Sequence, residues 1–318
     1  MTWYLVRRIG QSFAVVIGVM ILTFILVHLE PGSTARAVLG HQATPARVAL
    51  FNNTYGLNRP LPVQFVLYCN NVLHGNFGIS YASGQPVSTL IAQRLPRDVV
   101  LLGISTVLAL IIGVPMGLYQ AVHHGTLRDD AVAGTWFTLY SAPDFMEALL
   151  LIAIFSVHFR LFQPNFPGGI TTVGGVFSDP NALVLPVVVL AINSVAGFSQ
   201  YMRSSAIEEL AQDYIRTARA KGLQQRLVMT RHLLRNALLP IVTILGLSLP
   251  DIVAGAVIAE AIFNFPGMGL LFWQSALSHD FPVLLGATLI IGVATVVGNL
   301  AADVAYGILD PRIRHAVA

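Results

Sequence analysis

The sequence predicts an all-α polytopic membrane protein with six transmembrane helices and both termini in the cytoplasm. Three observations carry this expectation. Of 318 residues, 55% are hydrophobic and only 10% charged, against about a quarter charged in a soluble domain; mean hydropathy is +0.71. Apolar runs long enough to cross a bilayer recur along the chain. The cations beside those runs are unevenly shared between the two sides.

In chain order, Ile9 to Leu29 carries no charge. It is too long for a signal-peptide core and reads as a retained first span. Pro31-Gly32 breaks it. A polar segment, Glu30 to Asp98, follows, with Pro45 to Phe51 and Val63 to Leu73 as short helices between turns marked by Pro and Gly. Val99 to Val122 is the second span. Gly113 and Gly117 stand four apart there, a spacing that lets helices approach closely, and Pro115 is expected to kink the helix. His123 to Asp130 is a polar turn. Ala131 to Val157 is a third span, interrupted by Pro143, Asp144 and Glu147. After a loop rich in Gly, Pro and Asn comes a fourth span, Leu183 to Met202. Asn236 to Ala259 is the fifth, with Pro240, Pro250 and Asp251. Glu260 to Asp280 reads as a loop, Phe281 to Ala302 as the sixth span, and the tail ends Leu309-Asp310-Pro311-Arg312-Ile313-Arg314.

Six spans put both ends on one side. That side holds 12 of the 18 Lys and Arg: Arg7, Arg8, Arg128, the seven from Arg203 to Arg235, Arg312 and Arg314. Five of the other six lie in or at the end of the long polar segment, which translocates largely regardless of charge, so the cation-rich side is cytoplasmic. The pI near 9.2 is therefore a property of membrane loops, and nucleic acid is not an expected partner.

The polar stretch Ser204 to Leu234 lies between spans. Ile207, Leu210, Tyr214 and Ala218 fall on one helical stripe. Glu208, Glu209 and Asp213 are placed early in that helix and Arg216, Arg219 and Lys221 late, an order that suits the helix dipole. Gly222 stands where a left-handed residue would stop the helix. A second amphipathic segment follows, with Leu223, Leu227 and Leu233 or Leu234 on its apolar side. So short a loop has no core of its own. It either docks into a neighbour or is a solvated basic loop that only fixes orientation.

The single cysteine, Cys69, excludes an internal disulfide or a Cys-x-x-Cys metal site. The single lysine, Lys221, is followed by Gly222, so there is no Gly-Lys-Ser/Thr phosphate loop. Any nucleotide energy must come from another subunit. Asp144, Glu147, Asp251 and Asp303 lie at or near membrane depth, where charge is costly and each acid is a functional candidate. They either line an aqueous path or couple protons, and the second choice would make the chain a secondary transporter. The histidines show no metal-binding spacing, and nothing supports intramembrane hydrolysis.

Asp213-Tyr214-Ile215-Arg216-Thr217-Ala218-Arg219-Ala220-Lys221-Gly222-Leu223 resembles the signature loop of bacterial ABC importer permeases, specifically the B-type subunit of the dipeptide/oligopeptide/nickel family. The general Glu-Ala-Ala pattern falls on Arg216, Thr217 and Ala218, so its Glu and first Ala are absent, and its closing Leu-Pro is missing at Leu234-Arg235, with the nearest match at Leu239-Pro240. Tyr4 to Arg8, Gly56 to Pro60, Glu260 to Gly269 and Leu309 to Arg314 also look like the family, so the resemblance covers nearly the whole chain. Departures are Ser33 after Pro31-Gly32, Gly75-Asn76-Phe77-Gly78 in place of Gly-Asp-Leu-Gly, and Asp144, Glu147 and Asp251 at positions that the family mostly leaves uncharged.

The resemblance implies a type I ABC importer permease fold. Residues 1–98 would hold the first span and an outer loop region, and 99–318 a five-helix permease core with a coupling loop at 204–235. The helix before Gly222 would be the coupling helix, seated in a cleft of a cytoplasmic ATPase. Tyr214, Thr217 and Lys221 belong to it; Ala218, Ala220 and Gly222 would allow close approach, and Asp213, Arg216 and Arg219 would make polar contacts. Asp144, Glu147 and Asp251, as departures from the family, would tune this subunit's own substrate path. The chain itself would be no enzyme and hold no cofactor, with ATP and Mg on two ATP-binding cassettes. Its other expected partners are a second, C-type permease, membrane lipid, peptide cargo (nickel as a lesser expectation) and an extracytoplasmic binding protein, docked against the long loop and the Glu260 to Asp280 loop.

Overall fold

Helices form wherever the apolar runs were read, but several begin or end elsewhere than composition suggests. The structure, a computed structural model, describes residues 2–29, 33–169 and 172–309. The Pro31-Gly32 break, the tail from Asp310 to Arg314 and the side chains of Arg7, Arg8 and Asp303 lie outside what is described. In chain order the helices are α1 (Thr2–Leu29), α2 (Thr34–Leu39), α3 (Pro45–Tyr55), α4 (Leu61–Leu73), α5 (Val87–Val122), α6 (Leu127–Tyr140), α7 (Asp144–Leu151), α8 (Val173–Val176), α9 (Pro180–Leu210), α10 (Asp213–Ala220), α11 (Gln225–Leu227), α12 (Leu234–Ala237), α13 (Leu239–Leu247), α14 (Leu249–Ala254), α15 (Val257–Phe263), α16 (Met268–Leu277) and α17 (Phe281–Leu309). Among the described residues the only extended pairing is one bridge, Ile79 to Pro86.

Among the described residues, four stretches are each long and apolar enough to cross a bilayer: Val87–Val122, Pro180–Leu210, Gln225–Ala254 and Phe281–Leu300. Two more qualify only as bent pairs. Phe13–Leu29 meets Thr34–Gln42 at 69°, and Leu127–Tyr140 meets Asp144–His158 at 97°. By length and composition the described residues hold four candidate crossings, or up to six if each bent pair counts as one.

Four expectations need correction. The second span does not start at Val99: α5 begins at Val87 and runs unbroken through Pro96 and Pro115. Arg97 and Asp98, which look like the end of a polar loop, are buried inside it. The third span is not one helix but two, broken over Ser141 to Pro143. The fifth crossing runs earlier than expected, over Gln225–Ala254, as short segments with Pro240 and Pro250 in the first turns of α13 and α14. Proline is tolerated there because its missing N–H has no intrahelical partner to lose. Gly255, at φ +76°, ends this run. The Glu260 to Asp280 stretch is not a plain loop: it holds the end of α15 and all of α16.

The most extensive helix contact is α5 against α9, and glycine makes it possible. A Cβ on Gly117 would stand 2.3 Å from the Ser199 carbonyl oxygen, and one on Gly113 2.9 Å from that of Val195. This is the close approach expected of the four-residue spacing. Around it lies the largest apolar cluster, including Ala109, Val195, Phe198, Met202 and Ala206. Inside it, the buried Ser199 hydroxyl donates to Gln120 Oε1 at 2.7 Å. Arg203 on α9 grips the buried Asp129 of α6, with N–O distances of 2.8 and 2.6 Å. At the far end of the bundle, the buried Asp280 carboxylate accepts from the Ser80 hydroxyl and the Tyr81 and Ala82 amides. It thereby ties the segment before α5 to the start of α17.

Gly117→Ala is expected to destabilise the protein by about 1–3 kcal/mol, because overpacking forces the backbones apart. Gly103→Ala, with nothing within 4 Å of its Cβ position, should be silent. Thermal unfolding of the two variants in the same detergent checks the contrast.

Candidate functional site

The helix-glycine-helix reading of residues 204–234 is partly corrected. The expected single helix is two. α9 continues past its span to Leu210, the backbone is extended at Gln212 (φ −71°, ψ 148°), and α10 starts at Asp213. Glu208 and Glu209 therefore end α9 rather than begin the next helix, the unfavourable end for an acid. Glu209 is compensated: the Tyr214 hydroxyl donates to its carboxylate, and Asn236 Nδ2 donates to the same Tyr214 oxygen at 2.9 Å. This bond set ties α10 to both its neighbours. Burial, and then the Glu209 contact, hold the Tyr214 phenol above its ordinary range.

The apolar face of α10 is also not the expected stripe. Ile215 (0% exposed) and Ala218 (5%) are buried in one cluster with Met202, Ala206, Val228 and Leu233. Ala218, expected at a partner's surface, is spent on the chain's own interior. Asp213, Tyr214, Arg216, Thr217, Arg219, Ala220, Lys221 and Gly222 are exposed. Asp213 and Arg216 form a solvent-facing pair at 3.6 Å. Gly222 takes φ +76° with nothing within 4 Å of its Cβ position, so backbone conformation, not space, makes it glycine. Leu223 and Leu227, expected on the inner side, are more than a third exposed, while Val228 and Leu233 are buried. The outcome is a short helix fastened from behind, with a basic front and two leucines beside it.

At membrane depth, Asp144 and Asp251 come together. Both line a cavity of about 240 Å³ between α5, α7, α9 and α14, with Ser105, Thr106, Asn193 and Ser194. Asn193 Nδ2 donates to Asp144 Oδ1 at 2.7 Å. Glu147, the third expected path residue, does not line this cavity. It is 5% exposed, and neither carboxylate oxygen has a hydrogen-bond partner.

Composition did not reveal a second pair of acids, Asp98 and Glu260, both 0% exposed. Asp98 Oδ2 accepts from the Met268 amide at 2.6 Å. Glu260 accepts from Leu270 at 2.8 Å and from Ala256 at 2.6 Å. Together they cap the amino end of α16, whose first-turn N–H groups have no helical partner. Arg97 Nη1 donates to the Pro266 carbonyl at 3.1 Å. A Cβ on Gly267 would lie 1.9 Å from Asp98 Oδ1, so only glycine fits. The available signal was Glu260 followed by Pro266-Gly267-Met268-Gly269, a glycine-rich turn spaced to meet an acid. A larger cavity, about 340 Å³, lies at the same end of the bundle, lined by His28, Tyr55, Arg59, Gln64 and Tyr68 among others.

Residues 113–315 match the family described as binding-protein-dependent transport system inner membrane component, and residues 1–102 match its N-terminal counterpart. The chain is 40% identical over 316 residues to the oligopeptide transport system permease protein AppB of Bacillus subtilis, covering 99% of this chain and all of that one. It is 34% identical over 337 residues to the dipeptide transport system permease protein DppB of Escherichia coli K12, covering 99% of both. Among solved structures, the MetNI methionine ABC transporter in inward-facing form aligns with TM-score 0.51 at 16% identity, over 70% of this chain and 96% of that one. That likeness bears on fold alone.

Ile215→Asp is expected to release α10 from α9, because it buries a charge with no partner. Arg216→Ala, fully on the surface, should change stability by less than about 0.5 kcal/mol. Limited proteolysis of the 204–235 segment distinguishes them: early cleavage for Ile215→Asp, none for Arg216→Ala.

Proposed function

The chain belongs to the family of binding-protein-dependent transport system inner membrane components, and on that premise we propose that it is the B-type permease of a peptide importer. The family places it in the bacterial inner membrane as a multi-pass permease component of an ABC importer. The peptide cargo is our reading, supported by what the named relatives transport. So is the assembly: a second, C-type permease, two ATP-binding cassettes that hold the ATP and Mg, and an extracytoplasmic binding protein. In this reading there are six crossings, both termini are cytoplasmic, and the end carrying α10 faces the ATPases.

One observation carries the proposal: α10 is an exposed, basic helix anchored from behind. Ile215 and Ala218 hold it to the interior, the Tyr214–Glu209–Asn236 set holds its sides, and Arg216, Arg219 and Lys221 stand clear. A solvated orienting loop has no use for such fastening, whereas a helix that transmits force needs it. ATP-driven closure of the cassettes moves α10. Because α10 is fixed to α9, and α9 to α5 through Gly117, the spans move as a body; this is alternating access by rigid-body rocking. Leu223 and Leu227 supply apolar contact beside the basic front, and complementary charge on the partner would set orientation.

The chain's acids suggest the alternative of proton coupling. Asp144 is bound by Asn193, and Asp98 and Glu260 are committed to capping α16. No continuous relay joins them among the described residues.

In cells with ATP maintained, peptide uptake is expected to survive collapse of the proton gradient. Gly222→Trp is expected to reduce uptake by about tenfold or more, since a left-handed backbone at a non-glycine residue costs about 1–3 kcal/mol and the side chain protrudes at the docking face. Uptake that stops with the gradient, and is indifferent to Gly222→Trp, would establish the proton-coupled alternative instead.

A further inference from the structure

The cavity between α5, α7, α9 and α14 has no cation in its lining. Its polar lining groups are Asp144, Asp251, Asn193, Ser105, Thr106 and Ser194. The Ser105 and Ser194 hydroxyls each donate to a carbonyl one turn back, Leu101 and Leu190, so their oxygens face outward as acceptors. Asn193 Nδ2 is taken up by Asp144, which leaves its amide oxygen as a further acceptor. The Asp251 carboxylate has no hydrogen bond or ion pair among the described residues, and it is exposed. Glu147, unpartnered and buried one turn behind Asp144, supplies no cation to this lining. Arg94 and Arg97 stand further along α5, beside Asp98 and Glu260, and do not reach this lining.

A second observation is broken backbone on two sides of this cavity. Interrupted backbone at membrane depth is tolerated only where it is buried in protein or borders water. The described residues place two such interruptions beside this cavity: the 97° break that ends at Asp144, itself a lining residue, and Gly255-Ala256 at the end of the fifth crossing, which also line it. Broken helices flanking a polar cavity form a common architecture for a site inside a transporter. A carboxylate facing lipid would be costly; facing a wet passage, with acceptors around it, it is a receptor for positive charge.

Resting on the peptide-permease reading above, we infer that this cavity is a cation-selective station on the path, where Asp144 and Asp251 receive the ammonium or guanidinium group of a passing peptide. The importer then moves cationic peptides in preference to acidic ones. Asp251 dominates, because its carboxylate is free, while Asp144 shares one oxygen with Asn193.

The test uses the complete complex in proteoliposomes with ATP inside. Three tripeptides differ only in a central Lys, Gln or Glu, each supplied with enough binding protein that the maximal rate is read. The Lys peptide is expected to move about tenfold faster than the Glu peptide. Asp251→Asn removes charge without breaking a contact and should lower that ratio about threefold, with the Gln peptide little affected. Asp251→Lys should invert the preference, and Asp251→Glu should preserve it. A wild-type ratio near one, or a ratio unchanged in Asp251→Asn and Asp251→Lys while the Gln peptide is still imported, overturns the inference and leaves the importer reading standing. Failure of the wild-type complex to import any of the three with ATP overturns the peptide reading itself, and the station with it.

Discussion

Gly117 leaves almost nothing between the backbones of α5 and α9: a Cβ there would sit 2.3 Å from the Ser199 oxygen. Small residues at a crossing let helices approach until dispersion and polar contacts act at short range, and here both follow. The Ser199–Gln120 bond closes one turn away, and the Arg203–Asp129 pair, with its buried carboxylate, lies a turn further. α9 thus carries Asn193 and Ser194 at the membrane cavity, the tight crossing at its middle, and Ala206 under α10 at its end. Whatever displaces α10 displaces the walls of the cavity, because one helix carries both.

At the other end of the bundle the same role falls to buried carboxylates. Asp98 and Glu260 cap α16 and fix the turn through Gly267, and Asp280 gathers the Ser80 to Ala82 backbone. The backbone N–H bonds these acids accept offset part of the cost of burying them, although Asp98 Oδ1 is left without a partner. The two ends are built differently: packing and one ion pair at the α10 end, carboxylate capping at the other. That division suits a machine that is pulled at one end and receives cargo at the other.

Much of this was legible from residues alone. The apolar runs located every long helix, Gly113 and Gly117 marked the tight crossing, and Gly222 marked the left-handed stop after α10. Hydropathy erred where charge is buried. Arg97 and Asp98 looked like the end of a loop, yet they lie inside α5, because their partners Met268 and Pro266 are some 170 residues away in sequence and no local pattern encodes them. Periodicity erred at Gln212, where an extended residue splits one amphipathic pattern into two helices and turns Ile215 inward in place of Tyr214. Asp144 and Asp251 were recognisable as acids in apolar surroundings. That they share one cavity depended on the break before Asp144 and on Gly255, which composition marks as punctuation without giving direction.

Force delivered to α10 by a nucleotide-hydrolysing partner is the claim on which the rest turns, since this chain has no phosphate-binding loop of its own. The most direct measurement is purification of the tagged chain from its native membrane in mild detergent, with mass spectrometry of everything bound. Recovery of a P-loop ATPase together with a second, similar permease is the expected result. Recovery of the chain alone, or only with copies of itself, would contradict the account.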